Sequence, residues 1–169
     1  MTVSSDLGTA LPGSPELLRS VFRQHAAGVA VVTAAADGVP VGFTATSLTS
    51  VSADPPMVSF GIGTSASSWP TVSRATYVGV HVLGAHQREL AATFARSGAD
   101  RFGAPTRWSW GPEGVPVLAD VLAYLVCRVV ARVPAGDHRL VLAEAAAGEA
   151  VAAGAPLLYH QGRFGEFRS

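Results

Sequence analysis

Apolar positions along this chain recur mostly at strand spacing, in short runs broken by Gly, Pro and Asp-Gly pairs, and at helical spacing only in brief segments. Ser14-Pro15-Glu16 supplies an N-cap hydroxyl, a proline at the first helical position and an early acid, and Leu17, Leu18, Val21 and Phe22 form one stripe behind it. That pattern predicts a helix over about 15–26. Gly28–Ala35 is rich in Val, Asp37-Gly38 is a type I′ turn signal, and Val39–Phe43 resumes the apolar run, so a β-hairpin is expected. Pro40 has no N–H to donate, which places the returning strand at a sheet edge or starts it late in the ladder.

Asp54-Pro55-Pro56 excludes helix and sets a stiff corner before Met57–Ile62, a buried strand. Ser68-Trp69-Pro70 opens a short helix to about Arg74, Thr76–Leu83 is a strand, and His86–Ser97 is a helix with Leu90, Ala91 and Phe94 inward and Gly98 as its stop. Leu122–Val133 alternates so that Ala123, Leu125, Cys127, Val129, Ala131 and Val133 share one face, with Arg128 and Arg132 on the other. Gly136-Asp137 turns into His138–Ala145, and a last strand, Pro156–His160, leads to Gly162-Arg163-Phe164. Six or seven strands joined by connections too short for parallel crossovers predict a mainly β protein: an antiparallel barrel with two or three peripheral helices.

A chain of 169 residues accommodates one domain, read here as a flexible leader over 1–14 and a single domain over 15–169. With 12 basic and 12 acidic residues and no run of Lys or Arg, the charge pattern expected of a nucleic-acid or anionic-membrane binder is missing. Any anionic ligand must therefore be held locally. Cys127 stands alone, which excludes an intramolecular disulfide and a multi-cysteine metal site and suits a reducing cytoplasm. The N-terminus has neither the basic start nor the apolar core of a secretory signal. The longest apolar region, Val115–Val133, is interrupted by Asp120, Arg128 and Arg132, so no membrane span is expected.

Gly42–Pro56 carries five hydroxyl residues, Thr44, Thr46, Ser47, Thr49 and Ser50, between a strand and a rigid Pro-Pro. Such groups, with backbone N–H, can hold a phosphate or sugar-like chain without burying fixed charge, or they can bond their own backbone at strand ends. Gly61-Ile62-Gly63-Thr64-Ser65-Ala66 matches a dinucleotide fingerprint, but no acid follows at the required distance and the strands around it read as antiparallel. These glycines instead let the backbone approach something closely. The five histidines stand singly, with no metal-ligand spacing; His138 and His160 draw attention because each sits where a strand meets a turn. Trp108 and Trp110 read as packing under a loop. No nucleophile with its base emerges and no carboxylate pair does either, so any catalysis must rest on a cofactor.

Taken in order, Phe22-Arg23, Gly28–Thr33, Asp37-Gly38, Gly42-Phe43-Thr44 through Ser50-Val51-Ser52, Asp54-Pro55-Pro56, Ser67-Ser68-Trp69, Val80-His81-Val82-Leu83, Asp100-Arg101-Phe102, Gly136-Asp137-His138 and Pro156-Leu157-Leu158 resemble the short-chain flavin reductases. That family supplies reduced flavin to two-component monooxygenases. The resemblance covers about residues 18–167 and implies a Greek-key split β-barrel that dimerises and binds FMN, or FAD in some members. It implies hydride transfer from NADH or NADPH, from nicotinamide C4 to flavin N5, with a flavin-dependent monooxygenase as the recipient. By the same resemblance Pro40, Val41, Gly42, Phe43, Thr44, Thr46 and Ser47 would border the isoalloxazine and ribityl chain. Gly61, Ile62 and Gly63 would pass close to the flavin, Ser67 and Ser68 would face its phosphate, and Arg101 and Phe102 would lie beside it. His138, as the one catalytic candidate, would position the nicotinamide together with Tyr159, His160, Gln161 and Gly162. A non-catalytic flavin sensor and a related split-barrel oxidase are the alternatives. The chain departs from the family pattern in having Ser67 where a basic residue is usual and His81 where Asn is usual.

Overall fold

The computed structural model describes residues 8–168. Of the expected leader, residues 1–7 lie outside the described residues, and 8–13 run exposed and without regular structure to Ser14. Helix α1 spans Pro15–Phe22; the Ser14 hydroxyl accepts the Leu17 N–H at 3.1 Å, and Pro15 takes a position whose N–H has no helical partner in any case. It stops short of the expected limit near 26 because Gln24 and His25 turn back onto the carbonyls of Val21 and Phe22. No residue of α1 is buried.

The elements that follow are β1 (Ala27–Gly28), β2 (Ala30–Ala36), β3 (Val39–Ala45), β4 (Thr49–Ala53), β5 (Pro56–Gly63), α2 (Trp69–Val72) and β6 (Tyr77–Val82). After them come α3 (Arg88–Ala95), β7 (Trp108–Trp110), β8 (Pro116–Leu118), β9 (Ala123–Ala135), β10 (His138–Ala150), β11 (Leu157–His160) and β12 (Arg163–Glu166). Seven strands form one antiparallel sheet in the order β3-β2-β6-β9-β10-β5-β4. The Asp37-Gly38 hairpin is present, with φ of 52° and 74° at the two turn residues, and Pro40 does lie on an edge strand. The two edge strands, β3 and β4, are joined by Thr46-Ser47-Leu48 and curl toward each other without pairing, which splits the barrel along a seam. Across that seam the Phe43 and Phe60 rings stand 6.0 Å apart, and the Ser47 hydroxyl accepts the Gly61 N–H at 2.9 Å.

The strand count exceeds the six or seven expected. β4 is an exposed Ser/Thr-rich edge strand whose polar composition reads as loop, and β12 is a four-residue return after β11. β10 continues to Ala150, well beyond Ala145, because it pairs with β9 along its whole length. That pairing slips: Leu142 faces Ala131 but Ala143 faces Val129, leaving Val130 as a β-bulge. The bulge reverses the alternation read from Leu122–Val133. Ala131 and Val133 swing off the face of Cys127 and Val129, Val133 is 43% exposed, and Arg132 turns toward α2, where its guanidinium donates to the carbonyls of Val72 and Ala75.

Two apolar clusters hold the sheet. Inside the barrel Val32 and Ala34 of β2 meet Phe60 and Ile62 of β5, Val78 and Val80 of β6, Cys127 and Val141. Outside it, Val29, Val31 and Leu83 pack against Ala91 and Phe94 of α3, Leu118, Val121 and Leu157. β2 is thus buried on both faces, which explains its unbroken run of apolar residues. Cys127 is fully buried and its thiol pKa is raised to about 11 by desolvation, the behaviour of a small hydrophobe.

His81 on β6 is fully buried in the outer layer rather than beneath the seam. Its Nδ1 lies 3.0 Å from the Val31 carbonyl, which can only accept, and its Nε2 accepts the Leu118 N–H at 3.1 Å, so the ring is the neutral Nδ1–H tautomer. Burial lowers its pKa from 6.5 to about 4, against a smaller opposing effect of the Val31 hydrogen bond. The unfolded chain then binds the extra proton first, so the contribution of this site is complete above pH 6.5 and is lost as pH falls toward about 4. The loss is at most about 3 kcal/mol. Urea unfolding at a series of pH values should show stability falling across this window, and the slope should flatten in His81→Asn, whose amide can both donate and accept.

Candidate functional site

Three polypeptide segments converge on the seam. The first is the Thr46-Ser47-Leu48 link, drawn against β5 by the Ser47–Gly61 hydrogen bond. The second is the turn into β10, where Gly136 adopts φ 60° and the Asp137 carbonyl accepts from both the N–H and the hydroxyl of Thr64, at 3.0 and 3.2 Å. His138 is registered opposite Gly63 on β5. Its ring lies over the bare backbone of Gly61 and Gly63, where an added Cβ would stand 3.9 and 3.8 Å from ring atoms. The Asp137 carboxylate lies 2.8 Å from His138 Nδ1, and the hydrogen bond from His138 is the main cause that lowers its pKa, followed by the His138 charge. An ionised carboxylate only accepts, so Nδ1 donates and Nε2 is left on the Gly63 side of the ring.

The third segment is the β11–β12 hairpin, turned by Gln161 and Gly162 at φ of 50° and 74°. Arg23, just past α1, clasps that turn: its Nη2 donates to the Gln161 carbonyl at 3.3 Å and its own carbonyl accepts the Gln161 N–H at 3.2 Å. Between the seam link, α1 and this hairpin lies a cleft of about 940 Å³. Thr46, Ser47, Leu48 and Thr49 form one wall, and Tyr159, His160, Gln161 and Gly162 another. Two groups of residues expected to share a function from sequence therefore face one space, although more than a hundred positions separate them. The third wall, Arg19, Phe22, Arg23 and His25 of α1 and its exit, was missed. Its signals in the sequence were an apolar stripe with nothing to cover it and the Phe22-Arg23 pair, to which no role was attached.

The remaining expected residues are placed elsewhere or used internally. Val41 and Phe43 pack on the barrel interior, which also contains Ile62, and Pro40 lies farther along the edge strand. Gly42 faces α3: a Cβ there would come within 2.8 Å of Phe94 Cε1 and 3.0 Å of the Val32 carbonyl. The Thr44 hydroxyl donates to the Ala91 carbonyl at 2.6 Å, and the buried Ser68 hydroxyl donates to the Gly42 carbonyl at 3.0 Å. Arg101 donates to the carbonyls of Gly42 and Arg96, fastening the loop after α3 onto β3. Desolvation lowers the pKa of its guanidinium. Phe102 is sandwiched edge-on between Phe94 and Trp108, each 5.2 Å away, and the Trp108 N–H donates to the Phe102 carbonyl. Ser67 stays exposed on the turn before α2, and the nearby Arg139 guanidinium stands 6.0 Å from the Trp69 ring centre. Among the described residues no group of His, Cys, Asp and Glu is arranged to hold a metal, and no helix is long and apolar enough to cross a membrane.

Residues 22–168 match the flavin reductase-like domain family. The chain is 42% identical over 150 residues to an NADH:FMN oxidoreductase of Rhodococcus qingshengii, covering 86% of this chain and 78% of that protein. It is 41% identical over 151 residues to the reductase component of a 4-nitrophenol 4-monooxygenase/4-nitrocatechol 2-monooxygenase of Rhodococcus opacus, covering 88% and 79% of the two chains. The crystal structure of a flavin reductase domain protein from Arthrobacter sp. FB24 superposes with a TM-score of 0.87 at 40% identity, covering 91% of this chain and 96% of that one.

The placement of Gly42 gives a direct expectation. Gly42→Ala should lower stability by about 1–3 kcal/mol through overpacking against Phe94 and the β2 backbone, read as a lower midpoint in urea unfolding. A substitution that left the midpoint unchanged would place this glycine away from α3.

Proposed function

The chain belongs to the flavin reductase family, and we propose that it is an NAD(P)H:flavin oxidoreductase whose flavin and nicotinamide meet at the barrel seam. The observation that carries this reading is the cleft, in which an alcohol-lined wall faces a turn fixed by Arg23, together with the Ser47–Gly61 hydrogen bond that joins that wall to the strand over which His138 lies. The fit to the cofactor rests on the donor set: alcohol hydroxyls and main chain at the seam suit a ribityl chain and ring edge, and the glycines of β5 add no side chain of their own beside the His138 ring. Thr46, Ser47, Gly61 and Gly63 would hold FMN, or FAD, by these groups. Ser67, with Arg139 near Trp69, would face the flavin phosphate; this supplies a positive charge that Ser67 itself lacks.

Bound flavin supplies the chemistry, accepting at N5 the hydride that leaves nicotinamide C4. The protein's own contribution is placement: holding two rings in contact geometry can lower a barrier by about 7–11 kcal/mol relative to a free encounter. His138 would seat the nicotinamide, its ring orientation fixed by Asp137 on one side and the β5 backbone on the other. Tyr159, His160, Gln161 and Gly162 would carry the rest of the donor. The Rhodococcus opacus relative is a monooxygenase component, which supports a flavin-dependent monooxygenase as recipient of the reduced flavin. A homodimer is supported by the exposed apolar patch of Val130, Val133 and Leu140, the last two paired across β9 and β10. A cytoplasmic location accords with the single reduced cysteine.

Initial rates of NADH and NADPH oxidation with FMN and FAD in turn test the reading. Turnover with at least one pair is expected, and a protein inert with all four combinations is not a flavin reductase. His138→Ala should raise KM for the nicotinamide about tenfold, equivalent to ~1.4 kcal/mol, while KM for flavin moves little. A loss shared equally by flavin and nicotinamide would remove His138 from donor binding.

A further inference from the structure

The cleft is charged in a way the chain as a whole is not. The protein has 12 basic and 12 acidic residues, yet the cleft is lined by Arg19, Arg23, His25 and His160 with no carboxylate among its lining residues. Arg19 and Arg23 are one helical turn apart, so their side chains leave the same side of α1 with Cβ atoms about 5–6 Å apart. Arg23 is held in place: one nitrogen donates to the Gln161 carbonyl, and Gly162, with no side chain, lets another pass within 3.3 Å of where a Cβ would stand. The Arg19 side chain has no hydrogen-bond or ion-pair partner among the described residues. Its charge is the smallest of the influences on the Asp137 carboxylate, after those of His138.

Two guanidiniums on one helix face, open to a cleft without acids, have the chemistry of a diphosphate clamp. Flavin monophosphate offers a single phosphate, for which a different cation, Arg139 next to Trp69, is proposed above. A dinucleotide donor carries two linked phosphates between its nicotinamide and adenosine. Resting on the reading of the protein as a flavin reductase, we propose that Arg19 and Arg23 form an anion pole that grips the diphosphate of the nicotinamide dinucleotide. The dinucleotide would then run from His138, past α1, to the β11–β12 turn. The pole selects for donors that carry phosphate, and its strength is tuned by salt because both guanidiniums are exposed.

Arg19 is the informative position, since Arg23 also braces the hairpin. The test compares wild type, Arg19→Gln and Arg19→Lys with two donors, NADH and the phosphate-free 1-benzyl-1,4-dihydronicotinamide, and with two acceptors, FMN and riboflavin. In Arg19→Gln, KM for NADH is expected to rise about tenfold and to recover in Arg19→Lys, whereas KM for the phosphate-free donor moves less than about twofold. The rise in KM for NADH with added salt should also be steeper in wild type than in Arg19→Gln. An unchanged KM for NADH, or an equal rise for both donors, overturns the proposal. A defect confined to FMN and absent with riboflavin overturns it too, by assigning the pole to the flavin phosphate. Wild-type protein that fails to oxidise either donor with either flavin instead overturns the broader reading, before any variant is compared.

Discussion

A sheet that curls into a barrel must either pair its last two edges or leave a strip of backbone N–H and carbonyl groups for something else to satisfy. Here β3 and β4 do not pair, and the strip between them is crossed by a three-residue link. One side chain, Ser47, closes part of the gap by accepting the Gly61 N–H, and the Phe43–Phe60 contact closes it from within. The rest stays open to solvent. The glycine-bearing strand, the His138 turn and the cleft all adjoin that opening, so the candidate site follows from a closure left incomplete.

Such an opening is only useful if the rest of the barrel does not give way. β2 supplies the rigidity, with Val32 and Ala34 in the barrel interior and Val29 and Val31, just before and within it, in the outer cluster under α3. The buried Thr33 and His81 in that layer are satisfied: Thr33 donates to the Pro116 carbonyl, and His81 bonds through both ring nitrogens. Gly42, Thr44, Ser68 and Arg101 belong to the same outer bracing, which ties α2, α3 and the following loop to the edge strand β3. The edge strand nearest the cleft is thereby stiffened by contacts made on its far side.

Much of the architecture was legible from local patterns. The Asp37-Gly38 turn, the edge position of Pro40, the strand after Pro55-Pro56 and the inward Ala91 and Phe94 all follow from turn chemistry and periodicity. What sequence could not reveal was non-local. Val130 leaves no local mark as a bulge, because an extra residue shows itself only in the pairing partner, and so Arg132 was assigned to the wrong face. For the candidate site, Thr46, Ser47 and Tyr159–Gly162 fall together because strand order brings them there. Hydroxyls such as Thr44 and Ser68 look identical in sequence whether they face a ligand or a carbonyl of their own chain. Arg19 and Arg139 carried no motif at all, and Arg23 only as half of Phe22-Arg23 with no role attached, since their significance lies in what they stand beside.

α1 contributes a wall of the cleft while burying none of its own residues. Apart from its continuity with β1, α1 is tied to the body just past its end, by two hydrogen bonds between Arg23 and Gln161 and one from the Gln161 amide to the Gln24 side chain. Segments with so few buried contacts open at a small fraction of the global unfolding free energy. A ligand held in the cleft would thus need only a brief fraying of one short helix to escape on this side, while the barrel stays folded.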